Sequence, residues 1–210
     1  HTDAIPAAKA LLQQMGAEQG WSVFEYDGGG VFNAEDLARF DVVVWSNVSG
    51  NVLLPEQRAA MQAWMVKGGG FVALHAAGDN SHAEWPWYLD TVIGARFIGH
   101  PMHPQFQQTR LRIEQPDDPI MAGLPDPWMR TDEWYSWEKS PRAPGVRVLA
   151  TIDETSYNPV SLLGRSLRMG ADHPMIWARC IGRRRVFYYA LGHTAESYAE
   201  PEYREVLRRA

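Results

Sequence analysis

The chain of 210 residues has one cysteine, Cys180, so no internal disulfide can form and nothing implies an oxidising compartment. No apolar run approaches the ~20 residues needed to span a bilayer. No signal peptide is visible at the start, so a cytoplasmic protein without a membrane partner is expected. A formal net charge of −5 leaves no electrostatic footprint for nucleic acid. The basic run Arg183-Arg184-Arg185 reads as a solvated turn between two strands. Motif signatures are missing as well. There is no HExxH, no CxxC, no GxSxG elbow, no GxGxxG after a strand and no P-loop. Gly28-Gly29-Gly30 and Gly68-Gly69-Gly70 read as turn glycines, so nucleotide cofactors have no support. Cys180 falls inside "MIWARCIG", where a buried, inert thiol is expected.

What is present is an α/β pattern long enough for one domain over residues 1–210. A helix is expected from Pro6 to Glu18, and a strand over Trp21–Tyr26. Asn33 is placed to cap a short helix over Ala34–Arg39. "VVVWS" (Val42–Ser46) reads as a strand buried on both faces. Pro55–Lys67 is a helix ended by Gly68, and Phe71–His75 a further buried strand. This alternation argues for a mostly parallel sheet with helices on both faces. Trp85–Val92 reads as a helix. Thr109–Glu114, Trp134–Trp137, Val146–Ile152, Met175–Cys180 and Val186–Leu191 read as strands, and Pro201–Arg209 as a terminal helix.

Several ionisable groups fall at the ends of apolar runs, where open parallel sheets bind ligands. "GGGFVALHAAGD" places His75 at a strand end among small residues, with Asp79 closing the motif. An acid–base or metal-binding role competes there with a core histidine satisfied by a carbonyl. His193 follows "VFYYAL" and Gly192 in the same way, against a role in a capping network. Asn47, just beyond "VVVWS", either orients a hydroxyl or forms a turn. Asp132 and Glu133 are adjacent, so on a strand only one enters a site. Aromatic neighbours are expected to raise its pKa by desolvation, and the pattern does not say which residue it is.

His100 and His103 lie in "GHPMHPQF", where the prolines oppose a helical metal pair. With His173 in "GADHPMIW" they add imidazoles that can gather in space. His1 and His82 carry little signal. The nine tryptophans include Trp85, Trp87, Trp134 and Trp137 in polar-looking segments. They suit either a sugar-binding surface or the core.

The motifs "GGGFVALHAAGD", "WPWY", "IGARFIGHP", "DDPIMAGLP", "RTDEWYSW", "VLATIDETSY", "MGADHPMIW" and "ALGHTAESYAEPEYR" together resemble the trehalose-utilisation ThuA-like family along almost the whole chain. The resemblance implies a flavodoxin-like three-layer fold related to class I glutamine amidotransferases. It also implies a role in sugar catabolism linked to disaccharides oxidised to 3-keto forms. His75 stands at the elbow where amidotransferase relatives carry a cysteine, so thiolate glutamine hydrolysis is not expected. Asp132, Glu133 and Tyr135 match "DEWY", His100 "GHP" and His193 "GH". The family's usual first strand precedes the segment resembling "HTDAIP". The resemblance therefore implies a trimmed sequence in which that strand's neighbours expose backbone edges.

The reading is an enzyme acting on a sugar or 3-keto-disaccharide derivative by isomerisation, elimination or hydrolysis. His75, Glu133, Asp132 and His193 are the catalytic candidates. Asn47, Asp79, Trp87, His100, Trp134, Tyr135 and His173 are the substrate-binding candidates. A small-molecule sugar is the expected partner, and homo-oligomerisation stays open. The alternatives are a metal-dependent hydrolase, with a divalent metal such as zinc on several of these histidines, and a non-catalytic carbohydrate-binding protein.

Overall fold

The computed structural model describes residues 2–210. Helix α1 (Ala4–Gln19) begins two residues before the expected Pro6 and ends at Gly20 in the left-handed conformation. Helix α2 (Ala34–Leu37) is capped by Asn33, whose side chain accepts from the Asp36 amide at 2.9 Å. Strand β1 (Val42–Ser46) and helix α3 (Pro55–Lys67) follow. In α3, Gln57 Oε1 accepts from the Leu54 amide at 2.8 Å, satisfying a donor at the helix start. Then come β2 (Gly70–Leu74), β3 (Phe97–Gly99), β4 (Phe106–Ile113), β5 (Trp128–Glu133), β6 (Ser136–Trp137), β7 (Val146–Ile152), β8 (Pro174–Ile181), β9 (Arg184–Tyr189) and helix α4 (Pro201–Arg209).

Seven strands form one mixed sheet in the order β1-β2-β9-β8-β7-β4-β5, and β3 pairs with β6 in a small second sheet. The β1-β2-β9 part is parallel and the remaining neighbours pair antiparallel. The parallel part brings the ends of β1, β2 and β9 to the same side. The main core follows β2, β7, β8 and β9, with Phe71, Leu74, Ile176, Trp177, Phe187 and Tyr188 almost fully buried. Helix α4 docks through Tyr203, stacked on Tyr189 at 4.4 Å.

Four local expectations are corrected. Residues 21–26 form no strand, and Trp21, Phe24 and Tyr26 are exposed. A strand needs a hydrogen-bonding neighbour, and among the described residues none lies beside this segment. For the same reason β1 is not buried on both faces. It ends the sheet, Val42 is exposed, and a groove of about 550 Å³ lined by Phe24, Tyr26, Val42 and Val44 runs along it. The helix expected over Trp85–Val92 is present but not a regular α-helix: Pro86 and Trp87 are α-helical and Tyr88–Ile93 is π-helical, ended by Gly94. Cys180 is exposed, because the apolar alternation of β8 gives out beside the turn to β9. The arginine run next to it is exposed as expected.

Candidate active site

The site forms where β2, β9 and β5 end. β2 stops at Leu74, and the next residue, His75, takes a left-handed φ of 46°. Such a conformation is uncommon for a non-glycine residue and concentrates at functional positions. Asn47, just past β1, repeats it with a φ of 54°. The turn at His75 is tight: Tyr188 Oη donates to the His75 carbonyl at 2.8 Å. A Cβ on Gly78 would lie 2.3 Å from the Tyr188 ring, so only glycine fits beneath it. β9 delivers His193 through Ala190, Leu191 and Gly192, the last with φ 110°. β5 is separated from β2 by β9, β8, β7 and β4, yet it ends at Glu133 beside His75. The sheet must therefore curl to close the site.

Three side-chain atoms meet. His75 Nε2 lies 3.2 Å from Glu133 Oε2, His193 Nδ1 lies 3.1 Å from the same oxygen, and the two nitrogens are 3.1 Å apart. The other carboxylate oxygen, Oε1, accepts from Gln105 Nε2 at 2.5 Å and from His100 Nδ1 at 3.1 Å. His75 Nδ1 donates to the Ala190 carbonyl at 3.0 Å, which fixes the ring with Nε2 facing Glu133. Side-chain exposure rises from 0% at His75 and 2% at Glu133 to 18% at His193 and 26% at His100. His75 and Glu133 thus form the floor, and His193 and His100 face the mouth. The Tyr135 ring lies 4.3 Å from that of His75, Phe97 packs on Tyr135, and Phe106 sits 5.0 Å from His193.

A raised carboxyl pKa was the expectation, and the structure reverses it. Burial pushes Glu133 up, but hydrogen bonds from His193 and His75, the charge of His75 and the Gln105 amide outweigh it. The carboxyl is held well below the usual range, so Glu133 is ionised. Burial, with Glu133 nearby, pushes the Tyr135 phenol well up, so it is neutral. The centre can therefore hold a positive charge, as a proton or a cation.

Of the acidic pair, Glu133 faces the histidines and Asp132 does not. Asp132 accepts from Arg130, Ser197 and the amides of Gly192, His193 and Glu133. Its lone pairs are taken up in fixing the Gly192–His193 turn. Arg130, fully buried, also meets Glu200 at 3.3 Å. The other candidates are placed as follows. Asn47 Nδ2 donates to Tyr198 Oη at 2.9 Å and reaches the Gly192 carbonyl, bracing the same turn. Asp79 accepts from Ser49 Oγ and the Ser81 amide and organises the loop after His75. Trp87 stacks on Trp85, and Trp134 is buried with its indole N–H on the Gln107 carbonyl. Neither touches the cluster. His173 sits behind it, between Glu154 Oε1 at 2.8 Å and the Tyr135 carbonyl at 2.7 Å. His82 bonds the Val48 carbonyl, and His103 is exposed. Gln105, Phe106, Phe97 and Arg130 were not singled out by the sequence. A polar residue directly after the two "HP" pairs was the only available signal for Gln105.

The family model for trehalose utilisation, ThuA, matches residues 1–210. A ThuA-like protein from Bacteroides uniformis superposes with a TM-score of 0.83 at 22% identity, over 100% of this chain and 84% of that one. A ThuA-like protein from Parabacteroides merdae gives a TM-score of 0.67 at 19% identity, over 100% and 84%. A protein from Salmonella typhimurium described as cytoplasmic gives 0.62 at 13% identity, over 94% and 82%. These likenesses establish a shared fold. No curated protein matches the chain. Among the described residues, no helix is long and apolar enough to cross a membrane.

Proposed function

The chain belongs to the ThuA trehalose-utilisation family, and from that premise we propose that it is an enzyme acting on a 3-keto-disaccharide or related sugar by acid–base chemistry. The observation that carries this reading is the ionised Glu133 carboxylate set 3.1–3.2 Å from two imidazoles. A hydrogen next to a sugar carbonyl is acidic enough for such a centre to remove, and the resulting charge needs a positive partner beside it.

His193, on the open side, meets the substrate. Glu133 balances the positive charge held at the centre, and His75 anchors it from below. His100 and Gln105 fix the second carboxylate oxygen and lie within reach of substrate hydroxyls. Phe106, exposed beside His193, supplies a ring surface against which the apolar face of a sugar packs, while Tyr135 is buried behind His75 and backs its ring. Cys180 is on the surface, and His75 occupies the strand-end elbow, so glutamine hydrolysis through a thiolate has no support. A cytoplasmic location goes with this reading, supported by the description of the Salmonella relative.

Incubating the protein with a panel of disaccharides and their 3-keto forms, with products followed by chromatography, tests the reading. Conversion of at least one keto sugar is expected. Calorimetric binding with no product from any member of the panel would replace it with a non-catalytic carbohydrate-binding role.

A further inference from the structure

We propose that His75 Nε2, His193 Nδ1 and Glu133 Oε2 bind one divalent transition-metal ion of the zinc class. The three atoms form a nearly equilateral triangle with sides of 3.1, 3.1 and 3.2 Å. Metal bonds of about 2.0–2.2 Å place ligand atoms roughly 3.3–3.6 Å apart at tetrahedral angles and roughly 2.8–3.1 Å apart at octahedral ones. The observed spacing lies at the upper end of the octahedral range, just short of the tetrahedral one.

Protons alone do not satisfy the triangle. If His75 Nε2 and His193 Nδ1 both carry hydrogen, their 3.1 Å contact sets donor against donor. If only one does, the other nitrogen faces the carboxylate acceptor to acceptor. An imidazole nitrogen carries either a hydrogen or a lone pair, never both, so the three contacts cannot close as a ring of donations. A cation accepts all three lone pairs at once.

The groups around the triangle are those that support metal ligands. His75 Nδ1–H is tied to the Ala190 carbonyl, leaving Nε2 as the ligand atom. Gln105 and His100 hold Glu133 Oε1, leaving Oε2 for the ion. Asp132 fixes the backbone of His193. An ion bonded to all three atoms would sit about 1 Å out of their plane. His100 is a hydrogen-bond donor to the ligating carboxylate. His173 is committed to Glu154 and the Tyr135 carbonyl.

The ion's catalytic meaning rests on the carbohydrate reading, but its binding does not. Chelator-stripped protein is titrated with Zn²⁺ by calorimetry, and metal content is measured after dialysis. One ion per chain is expected. His75→Ala and Glu133→Gln, each checked by circular dichroism, are expected to weaken binding at least ~100-fold. The surface variants His103→Ala and Cys180→Ser should leave it unchanged. Cobalt(II) loading of the unaltered protein gives a readout independent of folding in any variant, with the visible spectrum of nitrogen and oxygen ligation expected. Absence of stoichiometric metal in the unaltered protein overturns the proposal, as does binding lost on Cys180→Ser. One ion per chain without turnover of any sugar retains the metal site and overturns the carbohydrate reading. Sugar turnover by a protein that binds no metal does the opposite.

Discussion

His75 Nε2 and Glu133 Oε2 lie 3.2 Å apart, although β9, β8, β7 and β4 separate their strands in the sheet. This contact closes the curled sheet at one end and gathers the site around a single ionised carboxylate. Glu133→Gln keeps the shape and removes the charge. Turnover of the keto sugar is expected to fall ~10²–10⁴-fold, the range typical of positioned acid–base groups, while the far-ultraviolet circular dichroism stays unchanged. A folded Glu133→Gln protein with full activity would remove Glu133 from the mechanism.

Asp132 predicts a different phenotype. Its carboxylate pairs with the fully buried Arg130 at 2.8 Å and holds the amides of Gly192 and His193. Asp132→Ala leaves that guanidinium without its main partner, at a cost of about 3–5 kcal/mol. Denaturant unfolding should show a much lower midpoint, and Asp132→Asn should recover part of the loss. A stable but inactive Asp132→Ala protein would mean that Asp132 acts in the chemistry.

Behind the site, Glu154 accepts from His173 and from the amides of Met169 and Gly170. Burial pushes its carboxyl up, but these donors outweigh it and hold the pKa below the ordinary glutamate range. A depressed carboxyl contributes stability that is complete above its unfolded pKa and is lost as pH falls through its folded one. Stability should therefore decline in acid, below about pH 4.5. Glu154→Gln should flatten that limb of the stability–pH curve. An identical acid limb in the variant would show that the pair does not contribute.

Gly78 supports the His75 turn through Tyr188. A methyl group there would meet the Tyr188 ring at 2.3 Å. Gly78→Ala is expected to destabilise the fold by about 1–3 kcal/mol through overpacking. By moving the hydroxyl that bonds the His75 carbonyl, it should also lower kcat more than it raises KM. Wild-type thermal stability in Gly78→Ala would contradict the close approach.

Much of this was legible in the chain, for identifiable reasons. Pro55–Lys67 and Val146–Ile152 carried their own start, stop and period, and the structure keeps those bounds. His75 and His193 stood out because each follows an apolar strand and adjoins small residues. The adjacency of Asp132 and Glu133 implied that only one faces the site, but choosing between them required the position of Arg130, a tertiary fact. Trp87 and Trp134 suit a sugar-binding surface by residue type, yet residue type does not reveal which face a ring packs on, and both pack on neighbours away from the cluster. Gln105 directly precedes β4 and Phe106 opens it, where no periodicity marks a functional position. The 21–26 segment has strand composition but no adjacent strand among the described residues, so propensity alone did not make a strand.

The central claim is that the strand-end cluster built on His75 carries out chemistry on a keto sugar. Turnover of 3-keto-disaccharides by the protein and by His75→Ala, compared at equal concentration with matched circular dichroism, tests it most directly. Conversion by the unaltered protein and none by folded His75→Ala is the predicted result. Equal conversion by the two would contradict the account.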